Sequence, residues 1–406
     1  MPPDRHLRPF DVLWLLLVGG LSAAWCVTAA AHLGATFDEP THLLAGVESW
    51  RSGSNKRLMT WGAMPLPIDA QTLPIYLWER VRGEPVNVLG EMDAVLPAAR
   101  AVTLGWWWLL LLYVLRWGRL VGGAWAGRLA VALAAADPNL LGHASLATTD
   151  ICLTSLVLVA AYHWLVARNA AWKRRVLVPG LLYGVALSAK ASALPYVPLL
   201  FLVFGLHHLA VAGRLTAATV GPVLGRLEYL WSATADLRRD LTQIIPIGLS
   251  VAFAYCGCDW AAEPTFAAWA SGLPAGPLRG VLLSVAENLA IFPNAGEGLV
   301  QQIKHNVRGH DGSFILGEYH PRAVWWYFPA LLSVKLADPT LALLAAVLAL
   351  RLSGTFGDLG RRVRCADRGS CPPVRTADPT PNAPSDWRPF STRRPGGRWR
   401  CCCCSA

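Results

Sequence analysis

Apolar residues in this chain come in long blocks rather than in the alternating pattern of half-buried strands. Blocks long enough to cross a bilayer, roughly 17–25 residues at 1.5 Å rise each, fall at about 11–31, 95–115, 124–143, 151–167, 174–190, 192–211, 243–258 and 326–350. They predict an all-α polytopic membrane protein with about eight transmembrane helices. The first block follows a short segment carrying Arg5 and Arg8. Seven further blocks come after it, and no convincing small-residue cleavage site precedes a soluble domain, so it reads as a retained helix rather than a signal peptide. Two long loops of mixed polarity, expected to carry amphipathic helices, separate the blocks, at about 32–94 and 259–325. Within the second, 280–292 and 299–307 place apolar residues at helical spacing. Amphipathic helices lying on the membrane surface do this, and so does a small packed outer domain.

The pattern ends at about Leu352. The remainder has seven prolines, no helical period and four consecutive cysteines, Cys401–Cys404. Such a composition cannot bury a core and predicts disorder. The expected organisation is a membrane domain over 1–350 and a basic Pro/Arg/Cys-rich disordered tail over 351–406.

Composition agrees with a membrane solvent. Apolar residues make up 54% and charged residues 15%, where a soluble domain carries about a quarter charged. The 19 tryptophans suit membrane–water interfaces. The formal charge of +10 is mostly a tail property: eleven arginines against four aspartates in 351–406 leave +3 for the rest. That balance excludes a basic nucleic-acid-binding core. The ten cysteines include no pair of CxxC motifs, which argues against structural zinc.

Loop charges orient the spans, because short cytoplasmic loops collect Lys and Arg. With the N-terminus inside, the inner segments hold Arg5 and Arg8; Arg116, Arg119 and Arg128; Arg168, Lys173, Arg174 and Arg175; and Arg214, Arg226, Arg238 and Arg239. The two long stretches then lie outside, on a multi-pass cell membrane protein whose active face is the outer one.

Four constellations fall on that face. Thr36-Phe37-Asp38-Glu39-Pro40-Thr41-His42 follows the first span; two adjacent carboxylates there are either a functional pair or a solvated helix start. Asp137-Pro138-Asn139-Leu140-Leu141-Gly142-His143 leads to Thr149-Asp150. Asp150 can cap a helix, and Asp137, inside an apolar run, needs a backbone or basic partner. Lys190 lies between two apolar runs and reads as a phosphate-binding cation or as a snorkelling anchor. Trp325-Trp326-Tyr327-Phe328-Pro329, followed by Lys335, suits an aromatic belt with a cation at its edge.

In this order and spacing the series resembles the GT-C glycosyltransferases of the protein O-mannosyltransferase type and the related aminoarabinose transferases. The matching residues are Asp38-Glu39, the 137–143 run with Thr149-Asp150, Lys190, and Trp325 to Lys335. The resemblance covers about 11–350. Met64-Pro65-Leu66-Pro67 stands where many members have a His-Pro-Pro-Leu-like element, and Lys335-Leu336-Ala337-Asp338-Pro339 lacks the compact Lys-Thr-Pro form.

The resemblance implies transfer of a sugar from a polyprenyl-phosphate donor to an acceptor on the outer face, with inversion. It implies Asp38 as general base, with Glu39 orienting the loop or acceptor. Asp150 would orient the acceptor or hold a cation. Lys190, Arg322 and Lys335 would meet the donor phosphate. The implied partners are the bilayer, the lipid-linked sugar, and a protein, lipid or glycan acceptor. No cofactor is required by the sequence; a divalent cation is compatible with these acids. The alternatives are a non-catalytic transporter or lipid-binding membrane protein, and an inactive, truncated relative of the enzyme.

Overall fold

The computed structural model describes residues 7–211, 223–257, 264–288, 296–302, 313–321, 324–336 and 338–352. Residue contacts divide the chain into two compact units, Met1–Ala342 and Leu343–Ala406. Of the tail expected to be disordered, Arg351 and Leu352 end a helix and the rest lies outside the described residues.

Nearly all described structure is helical. In chain order the helices are α1 (Pro9–His32), α2 (Glu39–Ser52), α3 (Lys56–Thr60), α4 (Pro65–Arg82), α5 (Met92–Ala135), α6 (Pro138–Ala144), α7 (Asp150–Val166), α8 (Val178–Ala189), α9 (Ala193–Val211), α10 (Val223–Ala233), α11 (Ala235–Cys256), α12 (Pro264–Ser271), α13 (Pro277–Asn288), α14 (296–302), α15 (Tyr327–Lys335) and α16 (Asp338–Leu352). A π-helical turn, Lys173–Leu177, leads into α8. One antiparallel hairpin, β1 (Ser313–Ile315) and β2 (Glu318–His320), pairs Phe314 with Tyr319.

Among the described residues, α1, α5 and α9 are long and apolar enough to cross a membrane. A bent pair, Tyr327–Lys335 with Thr340–Ala349, makes a fourth if counted as one span. The other expected spans fall on shorter or more charged helices such as α7 and α11. The outward side of α1 shows what surrounds the bundle: Leu13, Leu17, Leu21 and Trp25 are each more than half exposed. A face of this kind is costly in water and favourable against acyl chains.

Helix α5 covers the run expected at 95–115 and the first part of the run expected at 124–143. At Gly123 the backbone leaves helical geometry, with φ +81°. A Cβ on Gly118 would lie 2.6 Å from the Cα of Gly127. Nine residues of straight helix cover about 13 Å, so the chain has doubled back. The run expected at 124–143 stops at Asp137, which caps α6 by accepting from the amides of Asn139 and Leu140, both at 3.0 Å. That is the backbone partner its position requires.

Close helix contacts use glycine. In α8 and α11, Gly184 abuts Val251, and a Cβ on Gly248 would fall 2.1 Å from the Tyr183 ring. Small residues let apolar helices approach in this way. Buried charge clusters tie one set of helix ends together. Asp11 of α1 pairs with Arg128 at 2.9 Å and with Arg119. Asp240 of α11 pairs with Arg168 at 2.8 Å and Arg175 at 3.2 Å. All these arginines come from segments that the charge rule groups on one side.

The stretch 32–94 differs from a loop: α2, α3 and α4 form a packed cap. Trp50 stacks on Tyr76 with centroids 6.0 Å apart and donates to the carbonyl of Asp69 at 3.0 Å. Gly46 of α2 lies against Thr72 and Ile68 of α4. Gln71 of α4 donates to Thr103 of α5 at 3.1 Å and to the carbonyl of Thr148, just before α7, at 3.0 Å. The cap is thereby fixed to the turn that presents Asp150.

Candidate active site

The two adjacent carboxylates at the start of α2 have opposite surroundings. Glu39 is fully buried. The guanidinium of Arg100 grips it with two bonds, Nε to Oε1 at 2.9 Å and Nη2 to Oε2 at 2.8 Å. The amides of Thr36 and Ala147 and the hydroxyl of Thr36 also donate to it, at 2.7–3.0 Å. Burial pushes the Glu39 carboxyl upward, but these donors and the Arg100 charge outweigh it and hold the group below the usual carboxylate range. Arg100 spends its remaining donors on the carbonyls of Ala30, Leu33 and Gly34, each at 2.8 Å. One buried pair thus ties together the end of α1, the start of α2, the N-terminal part of α5 and the α6–α7 turn.

Asp38 sits on the solvent side of this clamp. It precedes the first turn of α2 with φ −84° and ψ −28°, and its side chain makes no cap bond. Its backbone carbonyl accepts from the amide of His42 at 3.0 Å and the hydroxyl of Thr41 at 3.1 Å. The residue is exposed, and its carboxylate has no hydrogen-bond or ion-pair partner among the described residues. The clamp holds the backbone and leaves the carboxylate open to a ligand.

Asp150 occupies the first position of α7 after Thr149. Its Oδ1 takes the ammonium of Lys190, the residue ending α8, at 2.7 Å. Its Oδ2 lies 3.6 Å from Nδ1 of His143, at the end of α6. Asp150 and Lys190 are both partly exposed.

His42 links the two groups of residues. Burial pushes its imidazole below the ordinary value, and the charges acting on it are those of Asp38, Lys190, Asp150 and Glu39. The Ala147 amide that bonds Glu39 lies three residues before Asp150, and Asp150 pairs with Lys190, so the starts of α2 and α7 and the end of α8 lie close together. The His42 Nδ1 is shut off from solvent without a hydrogen-bond partner among the described residues.

Of the residues singled out in the sequence, Asp38, Glu39, Asp150 and Lys190 are brought together. Lys335 ends α15, and its backbone carbonyl accepts from the side-chain amide of Asn139 on α6. Its ammonium is exposed and joins none of these residues in any described contact. Arg322 lies outside the described residues. Among the described residues, no group of three or more His, Cys, Asp or Glu side chains is placed to hold a metal ion.

His42, Arg100 and Asp69 were not foreseen. His42 had a usable signal, since four residues after Asp38 is one helical turn. Arg100 sits in an apolar run and demanded a partner. Asp69 had none, because 32–94 reads as a mixed-polarity loop. It is buried on α4 and accepts from the Tyr255 hydroxyl of α11 at 2.9 Å. Burial raises its carboxyl to about 6, against the Tyr255 and Asn55 side chains, which favour the charged form.

Beneath the clamp lies an apolar recess of about 170 Å³. It is lined by Cys26 and Ala30 of α1, Ala101 and Leu104 of α5, and Ala144 and Ser145 beside α6. Comparison of the chain with protein-family models, with curated proteins and with solved structures found no match.

Proposed function

We propose that this chain is a membrane glycosyltransferase with about eight spans of the GT-C type, which moves a sugar from a polyprenyl phosphate to an acceptor hydroxyl on the outer face. The observation that carries the reading is the convergence of Asp38, His42, Asp150 and Lys190, with Asp38 the carboxylate left without a partner. A hydroxyl is a poor nucleophile at neutral pH. In this reading Asp38 takes its proton as the oxygen attacks the anomeric carbon from the side opposite the phosphate. The bond from anomeric carbon to phosphate oxygen breaks, that oxygen keeps the electron pair, and the product is inverted. Lys190 meets the charge that grows on the leaving phosphate. Glu39 acts through the backbone it holds. The apolar recess supports a lipid-linked donor, because it offers an isoprenoid segment a place beside α6, whose His143 neighbours Asp150.

The test is a panel assay. Purified protein in lipid nanodiscs is incubated with radiolabelled polyprenyl-phosphate sugars and peptide, lipid and glycan acceptors. The reading expects release of polyprenyl phosphate with label on one acceptor class. Absence of both transfer and polyprenyl-phosphate binding across the panel would overturn it in favour of a non-catalytic membrane protein.

A further inference from the structure

In the free protein Lys190 is already occupied. Its ammonium sits 2.7 Å from Asp150, and the same carboxylate has His143 as its other neighbour. The other N–H donors of Lys190 can reach a phosphate, but the adjacent carboxylate competes with that phosphate for the lysine's charge. The pair is partly exposed on both sides, so water screens it and little is lost when the partner is exchanged. A phosphate offers Lys190 more charge and more acceptor oxygens than a carboxylate.

We propose that Lys190 and Asp150 form an exchangeable pair that orders the two substrates: the donor phosphate takes Lys190, and the released Asp150 carboxylate becomes available to the acceptor. This rests on the glycosyltransferase reading and adds a regulation to its site. Before the donor arrives, Asp150 is neutralised and cannot hold an acceptor hydroxyl firmly. After it arrives, the Asp150 carboxylate joins that of Asp38 in being free to accept from the acceptor hydroxyl. Premature acceptor binding is disfavoured, and so is loss of the activated sugar to water.

The experiment measures binding of undecaprenyl phosphate to the full chain in nanodiscs. Lys190→Ala should weaken binding about tenfold or more. Asp150→Asn removes the competitor for Lys190 while leaving the cation in place. It should tighten binding about two- to fivefold. The double variant should match Lys190→Ala, because the gain exists only through the lysine. Asp150→Ser, which keeps a small polar residue at the helix start, should give the same sign and guards against a local folding defect. If the wild type binds and Lys190→Ala weakens it, but both Asp150 variants bind equally or less well, the exchange is overturned and the donor site stands. If the wild type binds no undecaprenyl phosphate, the glycosyltransferase reading fails first and the exchange falls with it.

Discussion

Asp38 and Glu39 are neighbours in sequence with the same charge, yet their surroundings assign them different work. Glu39 has no exposed surface and five donated hydrogen bonds. Removing its charge leaves Arg100 buried without compensation, and breaking such a pair costs about 3–5 kcal/mol. Glu39→Gln should therefore lower the thermal unfolding midpoint in detergent by many degrees. Asp38→Asn should change stability by less than about 0.5 kcal/mol, as exposed substitutions usually do. Equal effects of the two would contradict the division of roles. Asp69 supplies a pH dependence with a definite sign. Its carboxyl is about 6 when folded and 3.8 when unfolded, so the folded state holds the proton more tightly. Its contribution to stability is complete below pH 4 and is lost as pH rises through 6, a cost approaching about 3 kcal/mol. Wild type should lose stability relative to Asp69→Asn between about pH 4 and 6.5; parallel curves for the two proteins would remove Asp69 as the cause. Which carboxylate would be buried was not legible in the sequence, because burial depends on partners such as Arg100 and Tyr255 that lie 61 and 186 residues away.

At the scale of elements, the apolar blocks were legible and the connections less so. The run at 11–31 became α1 within two residues of its expected start, since a long apolar segment has few alternatives. The run at 95–115 and the first part of that at 124–143 became one helix, and its turning back at Gly123 depends on Gly118 meeting Gly127. Two facing glycines give no hydropathy signal. The cap of α2 to α4 was missed as a folded unit for a similar reason. Its polar residues are satisfied by each other, as when Trp50 bonds the Asp69 carbonyl, and a hydropathy pattern cannot show that. The α8–α11 seam gives a direct test of element packing. Gly248→Leu drives its side chain into Tyr183 and should destabilise by about 1–3 kcal/mol. Gly20→Leu, where a Cβ meets nothing, should be nearly silent. The check is the thermal midpoint of each variant; silence of both would contradict the close seam.

For the whole molecule, two sets of helix ends have separate chemistry. One is tied by Asp11 with Arg119 and Arg128, and by Asp240 with Arg168 and Arg175. The other carries the Glu39–Arg100 clamp, the Asp150–Lys190 pair and the cap. The charge rule assigns the first set to the cytoplasm. Single cysteines at Ser54 and Ser313 should then react with a membrane-impermeant maleimide from outside, and one at Ser232 only from inside. Reaction of positions 54 and 232 from the same side would contradict the orientation. The candidate site was legible as residues that the loop charges group on one face, and the structure adds the Glu39–Arg100 clamp, the occupied state of Lys190 and the open state of Asp38. The central claim is that the Asp38 carboxylate accepts a proton during sugar transfer, and the most direct measurement compares Asp38→Asn with wild type in single-turnover transfer from a radiolabelled polyprenyl-phosphate sugar. The account predicts undiminished donor binding with turnover reduced by roughly 10²–10⁴-fold; normal turnover with asparagine at position 38 would contradict it.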